Sequence, residues 1–445
     1  MSETIFALSS AAGRAGLAVI RLSGPAAGNT LQAFSDRPLP PPRRATRTCL
    51  LDPKSGDALD DGMALWFPGP GSYTGEDVVE LHVHGGVAVV AALLEALGRW
   101  PGLRMAEPGE FTRRAFLSGK IDLTEAEGVI DLIDAETDAQ RRQALRQAEG
   151  ALGRLYDGWR TRLVGLLAHF EASIDFVDEP IPEALESQVR DGILCIAEEI
   201  AQHLDDNRRG ERLREGVHIA ILGAPNVGKS SLLNLLSQRD AAIVSATAGT
   251  TRDVVEVRLD LKGYPVTVAD TAGLRESGDD IEAEGVRRAL ARAESADLKI
   301  AVFDLSKLLD STTMDLIDSE TIVVFNKSDL AERVAPSPSI DSIAAAPACP
   351  ISVKTGAGVD GFLQVLTDAV ADRTGLTDTP VITRVRHRTA LQSCHDALAR
   401  AAAASESELA AEDLRLAVRA LGRITGSVDV EDLLDVIFRD FCIGK

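Results

Sequence analysis

The chain is poor in cysteine and has no long apolar run. Its five Cys, at 49, 195, 349, 394 and 442, are scattered and odd in number. That argues against a disulfide framework and for a reducing compartment. No apolar stretch approaches the ~20 residues that a membrane helix needs. Met1-Ser2-Glu3-Thr4 lacks the basic start and apolar run of a secretory signal, so the expected location is cytoplasmic, with no membrane partner. No G-x-G-x-x-G follows a strand in the context a dinucleotide site requires, which weakens any dehydrogenase reading. Positive charge is also scarce: 47 Lys and Arg stand against 68 Asp and Glu, a net of −21. A protein that binds nucleic acid through its bulk field is usually basic. Any nucleic-acid role here therefore needs a local patch or a partner. The deficit is uneven, with a net of −1 over 1–118, −10 over 119–215, −9 over 216–372 and −1 over 373–445.

The 445 residues and the 45% hydrophobic share suit about three domains, each able to bury a core. Residues 1–118 read as mixed α and β. Leu17 to Leu22 forms a candidate buried strand, and Val78 to His84 alternates like another. Gly85-Gly86 closes that strand, Val87 to Leu97 reads as a helix, and Pro38 to Pro42 as a loop. From 119 the pattern becomes helical. Leu145, Ala148, Leu152, Leu155, Trp159, Leu163, Leu166, Phe170 and Ile174 predict one long amphipathic helix that Pro180 and Pro182 stop. Leu185 to Leu204 predicts a second. From 216 short apolar runs alternate with helices, the signature of a parallel α/β sheet. The strand candidates are His218–Leu222, Val266–Ala269, Ile300–Phe303 and Ile322–Phe325. Residues 384–441 return to helical spacing. The expected architecture is multidomain, α+β and α/β: an N-terminal α+β domain over 1–118, and an all-helical domain split into 119–215 and 373–445. A P-loop α/β domain over 216–372 is inserted in the helical one.

Gly223-Ala224-Pro225-Asn226-Val227-Gly228-Lys229-Ser230 fits the phosphate-loop pattern G-x-x-x-x-G-K-[ST], with a strand before it and Ser231 to Gln238 expected as a helix after it. Its backbone N–H groups suit phosphate oxygens. Lys229 offers a point charge to the β/γ-phosphates, and Ser230 a hydroxyl to Mg²⁺. Asp270-Thr271-Ala272-Gly273 ends the Val266–Ala269 strand, where a carboxylate can hold Mg²⁺ through water and the Gly273 N–H can meet the γ-phosphate. Asn326-Lys327-Ser328-Asp329 ends a later strand, and Asp329 can accept both N1–H and N2–H₂ of guanine. Adenine lacks the amine and presents an acceptor, so the set selects GTP over ATP. Ser352-Val353-Lys354 can contact the base through its backbone. Ser245-Ala246-Thr247-Ala248-Gly249-Thr250-Thr251 lies between the phosphate loop and Asp270, with Thr251 placed to complete the Mg²⁺ shell. A Ras-type GTPase orients its attacking water with a Gln just after D-x-x-G. Here that position is Leu274, so another group must act. Asn226 and the oxygen-rich Ser245 to Thr250 can surround a monovalent cation. Glu282 is a carboxylate able to position water, and it stands beside the acids Asp279, Asp280 and Glu284.

The full chain resembles the MnmE (TrmE) family of tRNA modification GTPases. The resemblance is carried by Gly16-Leu17-Ala18-Val19-Ile20-Arg21-Leu22-Ser23-Gly24, by Tyr73-Thr74-Gly75-Glu76-Asp77-Val78-Val79-Glu80, and by His84-Gly85-Gly86. It is also carried by Pro108-Gly109-Glu110-Phe111-Thr112-Arg113-Arg114-Ala115-Phe116-Leu117, by Gly119-Lys120-Ile121-Asp122-Leu123, and by the terminal Phe441-Cys442-Ile443-Gly444-Lys445. It implies a homodimer whose N-terminal domain binds a tetrahydrofolate derivative, in its 5-formyl or 5,10-methylene form. It also implies a heterotetramer with the partner MnmG (GidA), which alone carries FAD. The activity implied is GTP hydrolysis coupled to addition of a carboxymethylaminomethyl-type group at C5 of the wobble uridine in certain tRNAs. The family's K⁺ positions fall on Asn226, Ser245, Thr247 and Thr250, its Mg²⁺ positions on Ser230 and Thr251, and its hydrolysis carboxylate on Glu282. Its folate contacts fall on Arg21, Glu80, Lys120 and Lys445. A carboxylate suits the donor edge of a pterin, and cations suit the glutamate tail. Cys442 is a candidate nucleophile near the folate, or a small residue packed at a chain end. His82 and His84 share a strand face, with packing favoured over a metal site. The competing reading is a ribosome-assembly GTPase acting as an RNA-binding switch. It would share the nucleotide motifs but would need none of Arg21, Glu80, Lys120 or the terminal tail.

Overall fold

The computed structural model describes residues 3–175, 183–239, 256–270, 295–330, 348–375, 379–428, 430–439 and 441–444. By contacts the chain divides into two compact units. One holds 1–130, 147–167 and 415–445, and the other holds 131–146 and 168–414.

In the first unit six strands form one sheet: β1 (Thr4–Leu8), β2 (Ala18–Ser23), β3 (Thr46–Leu51), β4 (Ala58–Phe67), β5 (Val78–Val83) and β6 (Leu103–Met105), in the order β3-β4-β5-β2-β1-β6. Only β1 and β6 run parallel. Alternation along β2 and β5 decides the two faces. Ile20, Leu22, Val79 and Leu81 point into a core with Leu31 and Phe34 of helix α1 (Ala27–Phe34) and Leu93 and Leu97 of α2 (Val87–Gly98). The intervening Arg21, Glu80 and His82 are partly exposed. Cross-strand register makes Arg21 the direct partner of Glu80 and of Ala7. A smaller cluster of Ile5, Ala7, Ala106 and Phe111 anchors α3 (Glu110–Leu117).

Helices dominate the middle and the end of the chain. They are α4 (Leu123–Asp134), α5 (Asp138–Ala148), α6 (Ala151–Asp175), α7 (Glu183–Leu204) and α8 (Arg209–Glu215). The single helix expected across Leu145 to Ile174 is two helices. Gly150, at φ +80°, breaks the chain between α5 and α6, and a Cβ there would stand 2.6 Å from Glu125 Oε1. Apolar spacing runs on through the break, so periodicity alone joined them. Pro180 and Pro182 lie outside the described residues. The Leu185–Leu204 helix is α7, whose Val189, Ile193, Ile196 and Ile200 are buried.

The second unit holds the other sheet: β7 (Val217–Leu222), β8 (Glu256–Leu261), β9 (Tyr264–Asp270), β10 (Leu298–Asp304), β11 (Thr321–Asn326) and β12 (Ala348–Pro350), in the order β12-β11-β10-β7-β9-β8. All neighbours are parallel except β8 with β9. The four expected strands are β7, β9, β10 and β11, each within a few residues. The edge strand β8 was not foreseen. Helices α9 (Lys229–Arg239), α10 (Ser311–Met314) and α11 (Val359–Thr374) follow strands. Leu232, Leu236, Phe362 and Leu366 pack against Ile219, Ile221, Val268 and Val324. Three helices close the chain: α12 (Val385–Ala403), α13 (Ser407–Thr425) and α14 (Glu431–Arg439). Buried Leu391, Cys394 and Leu398 lie on α12, which packs against α7.

Glu110 opens α3 and is almost wholly buried. Its carboxylate accepts from Arg104 at 2.8 and 2.6 Å, from Arg114 at 2.9 Å and from the Glu107 N–H at 3.0 Å. Arg114 also reaches Glu76 at 2.8 Å. Burial pushes the Glu110 pKa up, but these donors outweigh it and hold it down to about 2, against 4.5 unperturbed. A depressed carboxyl stabilises the fold fully above the unfolded pKa and loses that contribution as pH falls through the folded one. Glu110→Gln should therefore lower the melting temperature at pH 7, and the gap to the parent should close as pH falls from 4.5 toward 2. Melting curves at pH 7 and pH 3 check this; an equal gap at both contradicts it.

Candidate functional site

The nucleotide motifs converge where the sheet's parallel strands end. Gly223 leaves β7 at φ +146°, and a Cβ there would stand 2.4 Å from the Val302 carbonyl oxygen of β10. Only glycine lets the loop turn against that strand. The loop passes Asn226, held left-handed at φ 63°, and α9 starts at Lys229 rather than at the expected Ser231. The helix N-terminus therefore follows the loop directly, and its N–H groups suit anionic oxygens. Lys229 is buried, and its ammonium curls back to the Gly223 and Ala224 carbonyls at 2.6 and 3.0 Å.

Across the pocket, Asn326 ends β11. Its buried amide donates to the Val227 carbonyl at 2.8 Å and accepts from the Val353 N–H at 3.2 Å. The Lys327 ammonium reaches the Asn226 carbonyl at 2.9 Å and the Asp304 carboxylate at 2.7 Å. Burial pushes the Asp304 pKa up, yet Lys327 and the hydroxyl and N–H of Ser306 prevail and hold it down to about 2. The buried Ser352 hydroxyl donates to Asp329 Oδ1 at 2.6 Å and accepts from the Thr355 N–H at 3.2 Å. That fixes one Asp329 oxygen and orients the carboxylate. The cavity between these loops measures about 770 Å³, with Lys229, Ser230 and Ser231 on one side and Asp329, Val353 and Lys354 on the other. Ser328 joins it through its N–H, which donates to the Ile351 carbonyl at 3.0 Å. Asp270 is the last residue of β9, in register with Ile221 of β7. Ser245 through Thr251, Thr271, Ala272, Gly273, Leu274 and Glu282 lie outside the described residues.

On the other face of the N-terminal sheet, which α3 covers in part, the Arg21 guanidinium donates twice to Glu80 Oε1, at 3.1 and 2.9 Å. It lies 5.7 Å from the ring centroids of both Tyr73 and Phe111, within cation–π reach. His82 Nε2 stands 3.4 Å from the other Glu80 oxygen. Two of the four expected folate residues thus form one pair. Lys120 is exposed, at the mouth of a different cleft. The tail is docked in the same unit: Ile443 bridges Pro108, the Gly444 carbonyl accepts from Ser9 Oγ at 2.8 Å, and the Cys442 thiol is exposed. Lys445 itself lies outside the described residues. His84 turns to Asp60, at 2.8 Å. Among the described residues no group of three His, Cys, Asp or Glu is placed to hold a metal.

Sequence reasoning missed Asp304. Its signal was slight: an acid at the end of β10, opposite Asn326 in register. It also missed Tyr73 as a ring beside Arg21, although Tyr73 lies in the Tyr73–Glu80 segment that carries the family resemblance.

This strand order, with a phosphate loop after β7 and an Asn-Lys-x-Asp loop after β11, defines a P-loop GTPase. Comparison with known proteins narrows the class. A family model described as MnmE helical domain matches residues 123–442, and one described as GTP-binding protein TrmE N-terminus matches 4–120. The chain is 58% identical to the tRNA modification GTPase MnmE of Paramagnetospirillum magneticum, over 100% of both chains. It is likewise 58% identical to that of Parvibaculum lavamentivorans, again over 100% of both. To the mitochondrial 5-taurinomethyluridine-[tRNA] synthase subunit GTPB3 of Homo sapiens it is 49% identical, over 99% of this chain and 93% of that one. The chain belongs to the MnmE family of tRNA modification GTPases. Among the described residues no helix is long and apolar enough to cross a membrane.

The Asp329 geometry gives a direct prediction. If Asp329 accepts from N1–H and N2–H₂ of guanine as its motif predicts, Asp329→Asn replaces both acceptor contacts with a mismatched amide. Two lost bonds to a charged group should weaken GTP binding by roughly 10²–10⁴-fold, while xanthine nucleotides, whose C2 oxygen suits the amide donor, gain. Titration with fluorescent GTP and XTP analogues checks this; unchanged GTP affinity contradicts it.

Proposed function

We propose that this protein hydrolyses GTP to drive a folate-dependent modification at C5 of the wobble uridine of certain tRNAs. In this reading it works as a homodimer in a heterotetramer with the flavin-containing partner MnmG (GidA), and the group added is carboxymethylaminomethyl. The observation that carries the reading is the joining of two chemistries in one chain. A phosphate-loop pocket is lined by Asn326 and Asp329, whose motif suits guanine, and an Arg21–Glu80 pair lies on a half-buried sheet face of the same chain. The names of the relatives, a tRNA modification GTPase and a subunit of a 5-taurinomethyluridine-[tRNA] synthase, support the same class of reaction. The proposed division of labour is 1–118 for folate and dimerisation, 216–372 for GTP, and 119–215 with 373–445 as the helical domain between them in sequence.

At the nucleotide, Lys229 and the α9 N-terminus bind the phosphates, while Ser230 and Thr251 would hold Mg²⁺. Bound Mg²⁺ and K⁺ supply positive charge where negative charge develops in phosphoryl transfer. The donor set suits K⁺: Asn226, Ser245, Thr247 and Thr250 offer oxygens, and the Asn226 backbone is held at the pocket by Lys327. Glu282 would position water in place of the Gln that Leu274 replaces. The other residues proposed at GTP are Val227, Gly228, Ser231, Ala246, Ala248, Gly249, Asp270 to Gly273, Asn326 to Asp329 and Ser352 to Lys354.

At the folate, the fit rests on charge. Glu80 suits the pterin donor edge, and Arg21, Lys120 and Lys445 suit an anionic tail. Bound folate supplies the one-carbon unit. The docked tail holds the exposed Cys442 thiol in the same unit, where it is the candidate nucleophile. Cytoplasmic location follows from this reading.

The test is mass analysis of wobble uridines in a bacterial strain lacking its own member of the family. Expression of this chain should restore the C5 derivative. Lys229→Ala and a chain ending at Ile443 should both fail, the first for want of GTP binding and the second of folate. Unmodified C5 after expression of the intact chain overturns the reading, and full restoration by the truncated chain removes the tail from the folate site.

A further inference from the structure

The net charge of −21 sets a problem that the proposed function leaves open. A polyanionic RNA approaching this chain meets a repulsive field, so it must be gripped by local cations. Helix α13 carries such a group. Arg415, Arg419 and Arg423 recur every fourth residue, so they lie along one face. All three are exposed, and all three fall in the first unit. Four residues of helix rise about 6 Å, comparable to the step between successive phosphates of one RNA strand. Buried Leu414, Ala417, Leu421 and Ile424 occupy the other face of the helix, which fixes the arginines outward.

Arg419 and Arg423 line one side of an open cleft of about 1230 Å³, and Lys120 lines another. Three acids line it as well. Two are engaged in holding a helix: Asp122 Oδ1 accepts from the Glu125 N–H at 2.8 Å and from Thr124 Oγ1 at 2.7 Å, while Glu125 Oε2 accepts from the Asp122 N–H at 2.7 Å. That reciprocal cap stabilises the start of α4 and orients one oxygen of each carboxylate toward the helix end. The third, Asp432, is an exposed residue of α14. The cleft is too wide and too open for one small anion, which a pocket would enclose. Guanidinium groups on such a wall suit phosphate oxygens through paired N–H donors.

We propose that the Arg415–Arg419–Arg423 face of α13 grips the phosphate backbone of the tRNA substrate and leads the strand along the cleft toward Lys120. This rests on the tRNA reading above and adds the surface that holds the RNA. The contacts are to phosphate, so they position the strand and carry no base sequence.

The experiment is binding of a substrate tRNA transcript to the full-length protein across a series of salt concentrations. Each single-strand phosphate contact contributes about 0.7 to the slope of log affinity against log salt. The Arg415→Gln/Arg419→Gln/Arg423→Gln protein should bind at least 10-fold more weakly at low salt, with a slope shallower by about 2. Thermal melting serves as the folding control. If the triple variant does not fold, Arg419→Gln alone should flatten the slope by about 0.7, and Arg419→Lys should restore most of it. A folded triple variant with the parent's affinity and slope overturns the proposal while leaving the tRNA reading intact. A parent protein that binds no tRNA at any salt overturns this inference, while the tRNA reading is decided by the wobble-uridine analysis.

Discussion

The side-chain amide of Asn326 touches both halves of the nucleotide pocket. It donates to the Val227 carbonyl and accepts from the Val353 N–H, so the phosphate loop and the base-side loop share one buried anchor. A neutral amide is the right group, because each end meets a backbone partner of the opposite kind. Losing either bond would strand a buried polar group at a cost of about 1–3 kcal/mol. The adjacent Lys327 extends the tie, bonding the Asn226 carbonyl and the Asp304 carboxylate. The left-handed Asn226 is thereby fixed from outside its own loop. Within the loop, Lys229 holds the Gly223 and Ala224 carbonyls and Val227 is buried in the core; Asn326 and Lys327 add the outside hold.

The N-terminal sheet meets a similar constraint with different chemistry. One face is closed by α1 and α2, and the other carries ionised groups that must be paired to sit on a half-buried surface. Arg21 meets Glu80 directly across the ladder, and Glu110 gathers Arg104 and Arg114 beneath the Glu76 loop. These pairs stand near one-fifth exposure or less on most of their members, where charge-assisted bonds count for more than at the open surface. A ligand replacing one partner of Arg21–Glu80 would exchange one pair for another with little net desolvation.

Much of this was legible in the sequence where function confines chemistry to a short run of residues. The phosphate loop, Asn326–Asp329 and Ser352–Lys354 could be read as motifs because each is contiguous, and the first two each follow a predicted strand. The strands of the second sheet were readable because parallel strands buried on both faces are continuous apolar runs. What escaped depends on register or on a single dihedral angle. Asp304 meets Lys327 because β10 and β11 pair residue for residue, a relation that spacing along the chain does not carry. Arg21 and Glu80 read as two separate charges for the same reason. The α5–α6 break hides because the apolar spacing keeps phase through Gly150. Edge strand β8 escapes a search for continuous apolar runs because it alternates, with Val257, Leu259 and Leu261 turned to the core and Arg258 and Asp260 between them.

The central claim is that the Asn326–Lys327 tie presents Asn226 to a monovalent cation, which we propose supplies the charge that an arginine finger gives elsewhere. Single-turnover GTP hydrolysis in K⁺ and in Na⁺ at matched ionic strength tests it most directly, on the parent chain and on Asn226→Ala. Na⁺, the smaller ion, should serve poorly in this role. An arginine finger contributes roughly 10³–10⁵ in rate elsewhere, and K⁺ should recover part of that in the parent. Asn226→Ala should bind nucleotide and lose the K⁺ stimulation. Equal parent rates in the two salts would contradict the account.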